Sequence, residues 1–110
     1  MAGSDLFTGS LDLLLLKAVS WGPRHGYAIG QWLKQTTSEV IVVQEGALYP
    51  ALHRLERQGL LEEEWGVSET GRKAKFYRLT PAGRRHLKQE LARWSEFSRV
   101  MTLSLAAERP

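Results

Sequence analysis

The chain has no cysteine among its 110 residues, so it can form neither a disulfide framework nor a thiolate metal site. Its longest run of large apolar residues, 13–16, is far shorter than the roughly 18 residues that a membrane-crossing helix needs. The pattern of a secretory signal does not open the sequence either. These absences predict a cytoplasmic protein that does not insert into membranes.

Catalytic patterns are also missing. The chain has three histidines, and no two of them have the short spacing that places two metal ligands on one helical face. There is no glycine-rich phosphate loop, nucleophile elbow or pair of catalytic carboxylates, and the acidic run 62–64 is typical of a solvated strand edge. The sequence therefore predicts a protein that is not an enzyme and has no metal or cofactor.

The composition, with 43% hydrophobic and 25% charged residues, is that of one globular domain. The net charge of +3 is modest, but its distribution is uneven. Residues 72–99 contain nine lysines and arginines against two glutamates, whereas residues 39–69 contain seven acids against two arginines. The basic second half of the chain could bind a polyanion, although a solvent-exposed basic helix would explain part of this excess of positive charge.

Hydrophobic spacing and capping residues predict three short helices, a β-hairpin and a long helix. The predicted helices span 10–21, 26–35, about 47–59 and 81–107, and the predicted strands span 60–67 and 74–79. Ser10 and Thr80 are the expected N-caps, Gly59 the C-terminal glycine, and Pro50 is placed in the first turn of the third helix. Tyr27 is assigned to the core. Phe76 and Tyr77 alternate along the second strand, and which of them faces the core stays open.

This order is typical of a winged helix-turn-helix, in which the third helix enters the major groove and the hairpin, or wing, reaches the DNA backbone. The predicted fold class is thus mainly α with a small β-hairpin, followed by a long dimerisation helix. We expect a flexible arm over residues 1–9, a DNA-binding domain over 10–80, and a C-terminal dimerisation helix and tail over 81–110.

Residues 46–60, with the sequence GALYPALHRLERQGL, closely resemble the PadR family of bacterial transcriptional regulators. The motifs HGY at 25–27 and FYRLT at 76–80, together with Trp65 and Gly83, extend this resemblance over about residues 10–105. It implies a short family member that dimerises through its last helix. The chain departs from the family where Ala47 replaces a frequent threonine and where Lys73 and Ala74 replace a proline-containing turn.

A DNA-binding surface is predicted on the third helix and the wing. Leu48, Leu52 and Leu55 mark the buried face of this helix. The exposed face that would meet the groove is formed by Ala47, Tyr49, His53 and Arg54. The cations of the wing turn suit phosphate contacts, although a solvated charged turn is the commoner role for such residues. The predicted DNA-binding residues are Gly46, Ala47, Tyr49, His53, Arg54, Arg72, Lys73, Lys75 and Tyr77.

The last helix carries an apolar seam at alternating spacings of four and three, which indicates a coiled-coil-like contact. The seam consists of Leu87, Leu91, Trp94, Ser98, Met101 and Leu105. One small domain cannot bury it alone, so we expect a homodimer whose two wings address a two-fold-related site on double-stranded DNA.

Trp94 has two interpretations. It fills the dimer interface, or, as the resemblance implies for some short family members, it holds a planar hydrophobic or phenolic molecule between paired tryptophans. Leu13, Ser98 and Met101 are assigned with Trp94 to this ligand site. The predicted function is therefore a sequence-specific transcriptional repressor, released from DNA by a small aromatic ligand. The alternative is a dimerisation or protein-binding module that does not bind DNA.

Overall fold

The computed structural model describes the backbone from Ala2 to Pro110 and the side chains from Ser10 onward. Its elements are α1 (Ala2–Ala18), β1 (Arg24–His25), α2 (Gly26–Thr36), α3 (Glu45–Arg57), β2 (Leu61–Val67), β3 (Lys73–Leu79) and α4 (Pro81–Leu105). The predicted fold class, a mainly helical winged helix-turn-helix with a long last helix, is confirmed. Within the described residues, every helix is too short or too polar to cross a membrane.

The sheet contains one strand more than the sequence predicts. β2 and β3 form the expected antiparallel hairpin, and β1 adds to the other side of β3 through the pairs Arg24 with Tyr77 and His25 with Phe76. A strand of two residues is too short to show alternation, which is why the sequence pattern does not reveal it. β1 joins the wing to the N-terminal end of α2.

One hydrophobic core lies between α1, α2, α3 and one face of the sheet. Leu48, Leu52 and Leu55, the predicted buried face of the third helix, are in the core. The other helices contribute Leu15, Leu16, Ala18 and Val19 from α1 and Ile29 and Leu33 from α2. Tyr27 was wrongly assigned to this core, because its side chain is 67% exposed. Two residues correspond to about 200° of helix rotation, so Tyr27 lies nearly opposite the buried Ile29.

Two predicted helix starts are wrong. α1 begins at Ala2, so Ser10 lies inside the helix: a capping residue permits a helix to start but does not stop one that is already formed. The flexible arm expected over residues 1–9 stays a prediction, because the side chains of these residues lie outside the described part of the structure. α3 begins at Glu45, so Pro50 is an interior residue and not part of the first turn. With no N–H, Pro50 leaves the carbonyl of Gly46 without its usual helical donor.

Thr80 caps the N-terminus of α4 as predicted, and it also joins this helix to the winged domain. The Thr80 hydroxyl accepts a hydrogen bond from the Gly83 N–H at 2.9 Å and donates one to the carbonyl of Gly59 at 2.6 Å. Gly59 has a φ of +76°, the left-handed conformation expected after a helix. A Cβ atom at Gly83 would lie 2.0 Å from the Leu60 carbonyl oxygen, so only glycine allows this close packing.

Candidate nucleic-acid interface and the exposed face of helix α4

The outer face of α3 presents Gly46, Ala47 and His53 to solvent, opposite the buried leucines of the same helix. A Cβ atom at Gly46 would meet none of the described residues within 4 Å, so the first turn of α3 is open on that side. Glu45 adds a negative charge to this first turn. The turn is therefore accessible to a phosphate, but its positive dipole is partly offset by a carboxylate.

Tyr49 lies only partly on this surface. Its ring packs over the N-terminal turn of α2, where a Cβ atom at Gly26 would lie 2.6 Å from the ring carbon Cε1 and 2.7 Å from the hydroxyl oxygen. The lack of a Cβ atom at Gly26 thus allows this close contact with the Tyr49 ring. Tyr49 consequently joins α3 to α2 and is half-buried.

Arg54 pairs with a carboxylate inside the same molecule. Its guanidinium forms an ion pair and hydrogen bond with Asp12 of α1, and both side chains are largely shielded from solvent. Asp12 was missed by the sequence analysis, because a lone acid on the first helix carries no local signal for a partner on the third. Arg54 therefore joins α1 to α3 as well as lying on the predicted DNA-binding helix.

The wing turn is held by hydrogen bonds from the Ser68 N–H to the Arg72 carbonyl at 2.8 Å and from the Gly71 N–H to the Ser68 carbonyl at 2.9 Å. Arg72 and Lys73 are exposed, as phosphate contacts require. The Lys73 ammonium lies 5.2 Å from the centre of the Trp65 ring, within the range of a cation–π contact. The structure thus groups an exposed aromatic ring with the wing cations.

Lys75 is less free than its neighbours. Its Nζ atom lies 3.1 Å from Glu63 Oε1 and 5.7 Å from the centre of the Trp65 ring. On the opposite face of the hairpin, Arg78 lies 3.4 Å from Glu62 and 3.4 Å from Glu64. The acidic run 62–64 lies on the edge strand β2 as expected, but all three of its carboxylates have cationic partners.

Tyr77 is a correction to the predicted DNA-binding set. Its side chain is 1% exposed and lies in the core, while Phe76 on the other face packs edge-on against His25 at 5.3 Å between ring centres. Burial raises the pKa of the Tyr77 hydroxyl to about 12, with further contributions from Glu63, Glu56 and Tyr49. Tyr77 lies two residues before Leu79, so the period of a strand could have assigned it to the core face.

The predicted seam of α4 is buried only at its start. Leu87 is 6% exposed, whereas every residue from 91 onward is exposed in the single chain. Beyond Leu87 the exposed large apolar side chains are Leu91, Trp94, Phe97, Val100, Met101, Leu103 and Leu105, which we call the apolar stripe. Phe97, Val100 and Leu103 were missed because a strict spacing of four and three skips them.

Two hollows border Trp94. The larger, about 810 Å³, lies between α1, the segment 40–44 and α4, and its lining includes Leu13, Leu91 and Trp94. The smaller, about 410 Å³, lies along α4 and includes Trp94 and Ser98. Of the residues assigned to a ligand site, Leu13 and Trp94 therefore share a largely apolar hollow, Ser98 shares the second with Trp94, and Met101 lines neither of these two.

Comparison with known proteins agrees with this geometry. The model of the transcriptional regulator PadR-like family matches residues 15–89. Transcriptional regulator Rv3488 of Mycobacterium tuberculosis is 45% identical over 71 residues, which cover 64% of this chain and 65% of that protein. These matches confirm the resemblance found in the sequence.

Solved structures extend the similarity to the whole fold. A PadR-like transcriptional regulator from Bacillus cereus has a TM-score of 0.83 at 27% identity, covering 94% of this chain and 99% of that one. A transcriptional regulator from Clostridium thermocellum has a TM-score of 0.79 at 32% identity, covering 90% and 93%. The chain thus shares with these regulators both the winged domain and most of the length of α4.

Proposed function

Since the chain belongs to the PadR-like family of transcriptional regulators, which bind DNA and are not enzymes, we propose that it is a homodimeric, sequence-specific repressor. The observation that carries the proposal is the separation of two surfaces. The outer face of α3 and the basic wing are exposed at the winged domain, while the apolar stripe is exposed along α4. The first surface suits DNA, and the second suits another copy of the chain.

In the proposed complex, Gly46, Ala47 and His53 face the major groove, while Arg72 and Lys73 contact phosphates. Tyr49 and Arg54 lie at the edge of this surface, where their contacts with Gly26 and Asp12 orient α3. Tyr77 is left out because it is buried. Contacts to bases and contacts to phosphates then come from different elements.

A mobility-shift titration at several salt concentrations tests this division. Replacing Arg72 with alanine should weaken binding to all duplexes alike and reduce the salt slope by about 0.9, because one phosphate contact is lost. Replacing His53 should instead alter the preference among duplexes. Equal effects of both substitutions on preference would contradict the assignment. Tight self-association without any duplex binding would support the alternative, a dimerisation module that does not bind DNA.

The homodimer is proposed from the apolar stripe. Monomeric proteins rarely expose so many large apolar side chains along one helix, and a two-fold pairing would let this helix cover its counterpart. Two wings related by this symmetry would address a two-fold-related DNA site. Light scattering on the purified protein should give twice the mass of one chain, and a single-chain mass at micromolar concentration would contradict the proposal.

Release by a planar hydrophobic or phenolic ligand is proposed from the hollows at Trp94. The larger hollow offers Leu13 and Trp94 as apolar walls, and Ser98 and Met101 lie further along α4 toward the proposed dimer partner. A variant that keeps only Trp94 as its tryptophan should lose fluorescence when such a ligand binds, and the same ligand should weaken duplex binding. Unchanged emission across planar cations and phenolic acids would contradict this part of the proposal.

A further inference from the structure

Two carboxyl groups at the junction between α3 and the wing lie close enough to affect each other's ionisation. Glu56 comes from the last turns of α3 and Glu63 from β2. One oxygen of Glu63 lies 3.1 Å from the Lys75 ammonium, and its other oxygen, Oε2, is buried and has no hydrogen-bond partner among the described residues. We call Glu56 and Glu63 the acidic pair. His53, on the exposed face of α3, lies near both carboxyl groups, and Lys75 belongs to β3 of the wing.

The charges at this junction are unequal. Burial and the nearby charge of Glu63 raise the pKa of Glu56, while Lys75 lowers the pKa of Glu63. A proton therefore resides more readily on Glu56, and the negative charge remains on Glu63. The titratable groups that face the pair are His53 on α3 and Lys75 and Tyr77 on β3.

We propose that the acidic pair restrains DNA binding: the Glu63 carboxylate holds Lys75 in place of a DNA phosphate, and the pair takes up a proton when the duplex binds. This inference rests on the proposed function, since it concerns the same surface. A phosphate beside the junction competes with Glu63 for the Lys75 ammonium. It also adds negative charge next to two carboxyl groups, which favours their protonated form.

The chain provides a matched control for this restraint. Glu62 precedes Glu63 on β2 but lies on the opposite face of the hairpin, where it pairs with Arg78 at 3.4 Å. Replacing either glutamate with glutamine changes the net charge by the same amount. A difference in DNA binding between E62Q and E63Q therefore reports on the position of the charge and not on the total.

The experiment measures duplex binding of the full chain and these variants at several salt concentrations. E63Q should bind about five- to tenfold more tightly at 0.1 M salt, with a salt slope steeper by about 0.9, because Lys75 is released to one more phosphate. E62Q should bind with less than half of that gain. Adding Lys75→Gln to E63Q should abolish the gain, since the released cation is then missing.

Proton uptake is tested on the same duplex between pH 5.5 and 8. A raised pKa in the complex means that binding weakens as the pH rises through it. Glu56→Gln should reduce this pH dependence and bind more tightly than the unmodified protein at pH 8. His53→Gln must be compared in parallel, because His53 lies near the pair and on the proposed DNA-binding face of α3. The pH dependence assigned to the pair is the part that remains in His53→Gln and disappears when Glu56→Gln is added to His53→Gln.

Three outcomes would overturn the inference. They are an E63Q affinity equal to or weaker than that of the unmodified protein, an equal gain in E62Q, and a gain that survives loss of Lys75. If circular dichroism shows that E63Q does not fold, the test is the affinity of Glu56→Gln for the duplex at pH 8. An affinity no higher than that of the unmodified protein would overturn the inference. Absence of duplex binding in every variant, including the unmodified protein, would instead overturn the proposed function.

Discussion

The winged domain and the distal half of α4 use apolar residues at helical spacing in opposite ways. In α1 and α3, Leu15, Val19 and Leu52 are no more than 1% exposed. In α4, Leu91, Trp94 and the residues beyond them follow a similar spacing but remain exposed. Periodic spacing therefore identifies a contact face without telling whether its partner lies in the same chain.

The sharpest contrast between the two regions is expected from deletion of one leucine side chain in each. Leu52→Ala should lower the free energy of unfolding by about 2–5 kcal/mol, because it opens a cavity in a fully buried site. Leu103→Ala, at a side chain that is 61% exposed, should cost the isolated chain less than about 0.5 kcal/mol. Denaturant unfolding at concentrations where the protein is monomeric measures both. Equal losses would mean that the distal part of α4 is packed within one chain.

The second contrast concerns assembly. A charge in the apolar stripe, as in Phe97→Glu, should weaken dimerisation by about 2–4 kcal/mol, because the carboxylate would be buried without a partner. Lys88→Glu, at an exposed position of the same helix, is the control and should leave assembly nearly unchanged. Sedimentation equilibrium gives both dissociation constants. An unchanged constant for Phe97→Glu would place the dimer interface elsewhere.

Within the winged domain, two glycines should respond differently to the same substitution. Gly26→Ala should cost about 1–3 kcal/mol, because its Cβ atom would lie 2.6 Å from the Tyr49 ring. Gly46→Ala adds a Cβ atom that meets nothing within 4 Å and should change stability by less than about 1 kcal/mol. Thermal unfolding compares them. A tolerated Gly26→Ala would show that the Tyr49 ring can move away at little cost.

The smallest expected effect is at the wing turn. A hydrogen bond from its own backbone N–H, and then the His25 Nε2 atom 3.5 Å away, lower the pKa of the Glu69 carboxyl. Any stability from this contact is present at neutral pH and is lost as the pH falls through the lowered pKa. Carbon-detected NMR should give a titration midpoint below the usual value of about 4.3. His25→Asn should raise the midpoint only partly, because the backbone hydrogen bond lowers the pKa of Glu69 more than His25 does. A midpoint at the usual value in the unmodified protein would rule out both contacts.

Most of the fold was predictable because its signals are local. Thr80 and Gly59 mark the ends of their helices through side-chain capping and a positive φ, both of which depend on neighbouring residues. The start of α1 and the interior position of Pro50 were not predictable in this way. A helix extends upstream when its preceding residues tolerate helical geometry, and no single residue signals this.

The candidate site was predicted less completely than the fold. His53 is exposed, as helix periodicity predicts, and Arg72 and Lys73 are exposed, as their position in the predicted wing turn indicates. Tyr77 was misassigned because alternation separates two faces of a strand without saying which one meets the core. The partners of Arg54 and Lys75 could not be predicted at all, since ion pairs between elements leave no periodic pattern.

The sequence by itself determined the order of elements, the buried faces of α1 and α3, and the apolar character of α4, because each depends on spacing within one segment. The tertiary structure alone decided the addition of β1 to the sheet, the burial of Tyr77 and the pairing of Arg54 with Asp12, which lie 42 positions apart. It also brought Glu56, Glu63 and Lys75 together. The physical reason is that these contacts join distant segments, so they exist only once the helices and the hairpin have packed.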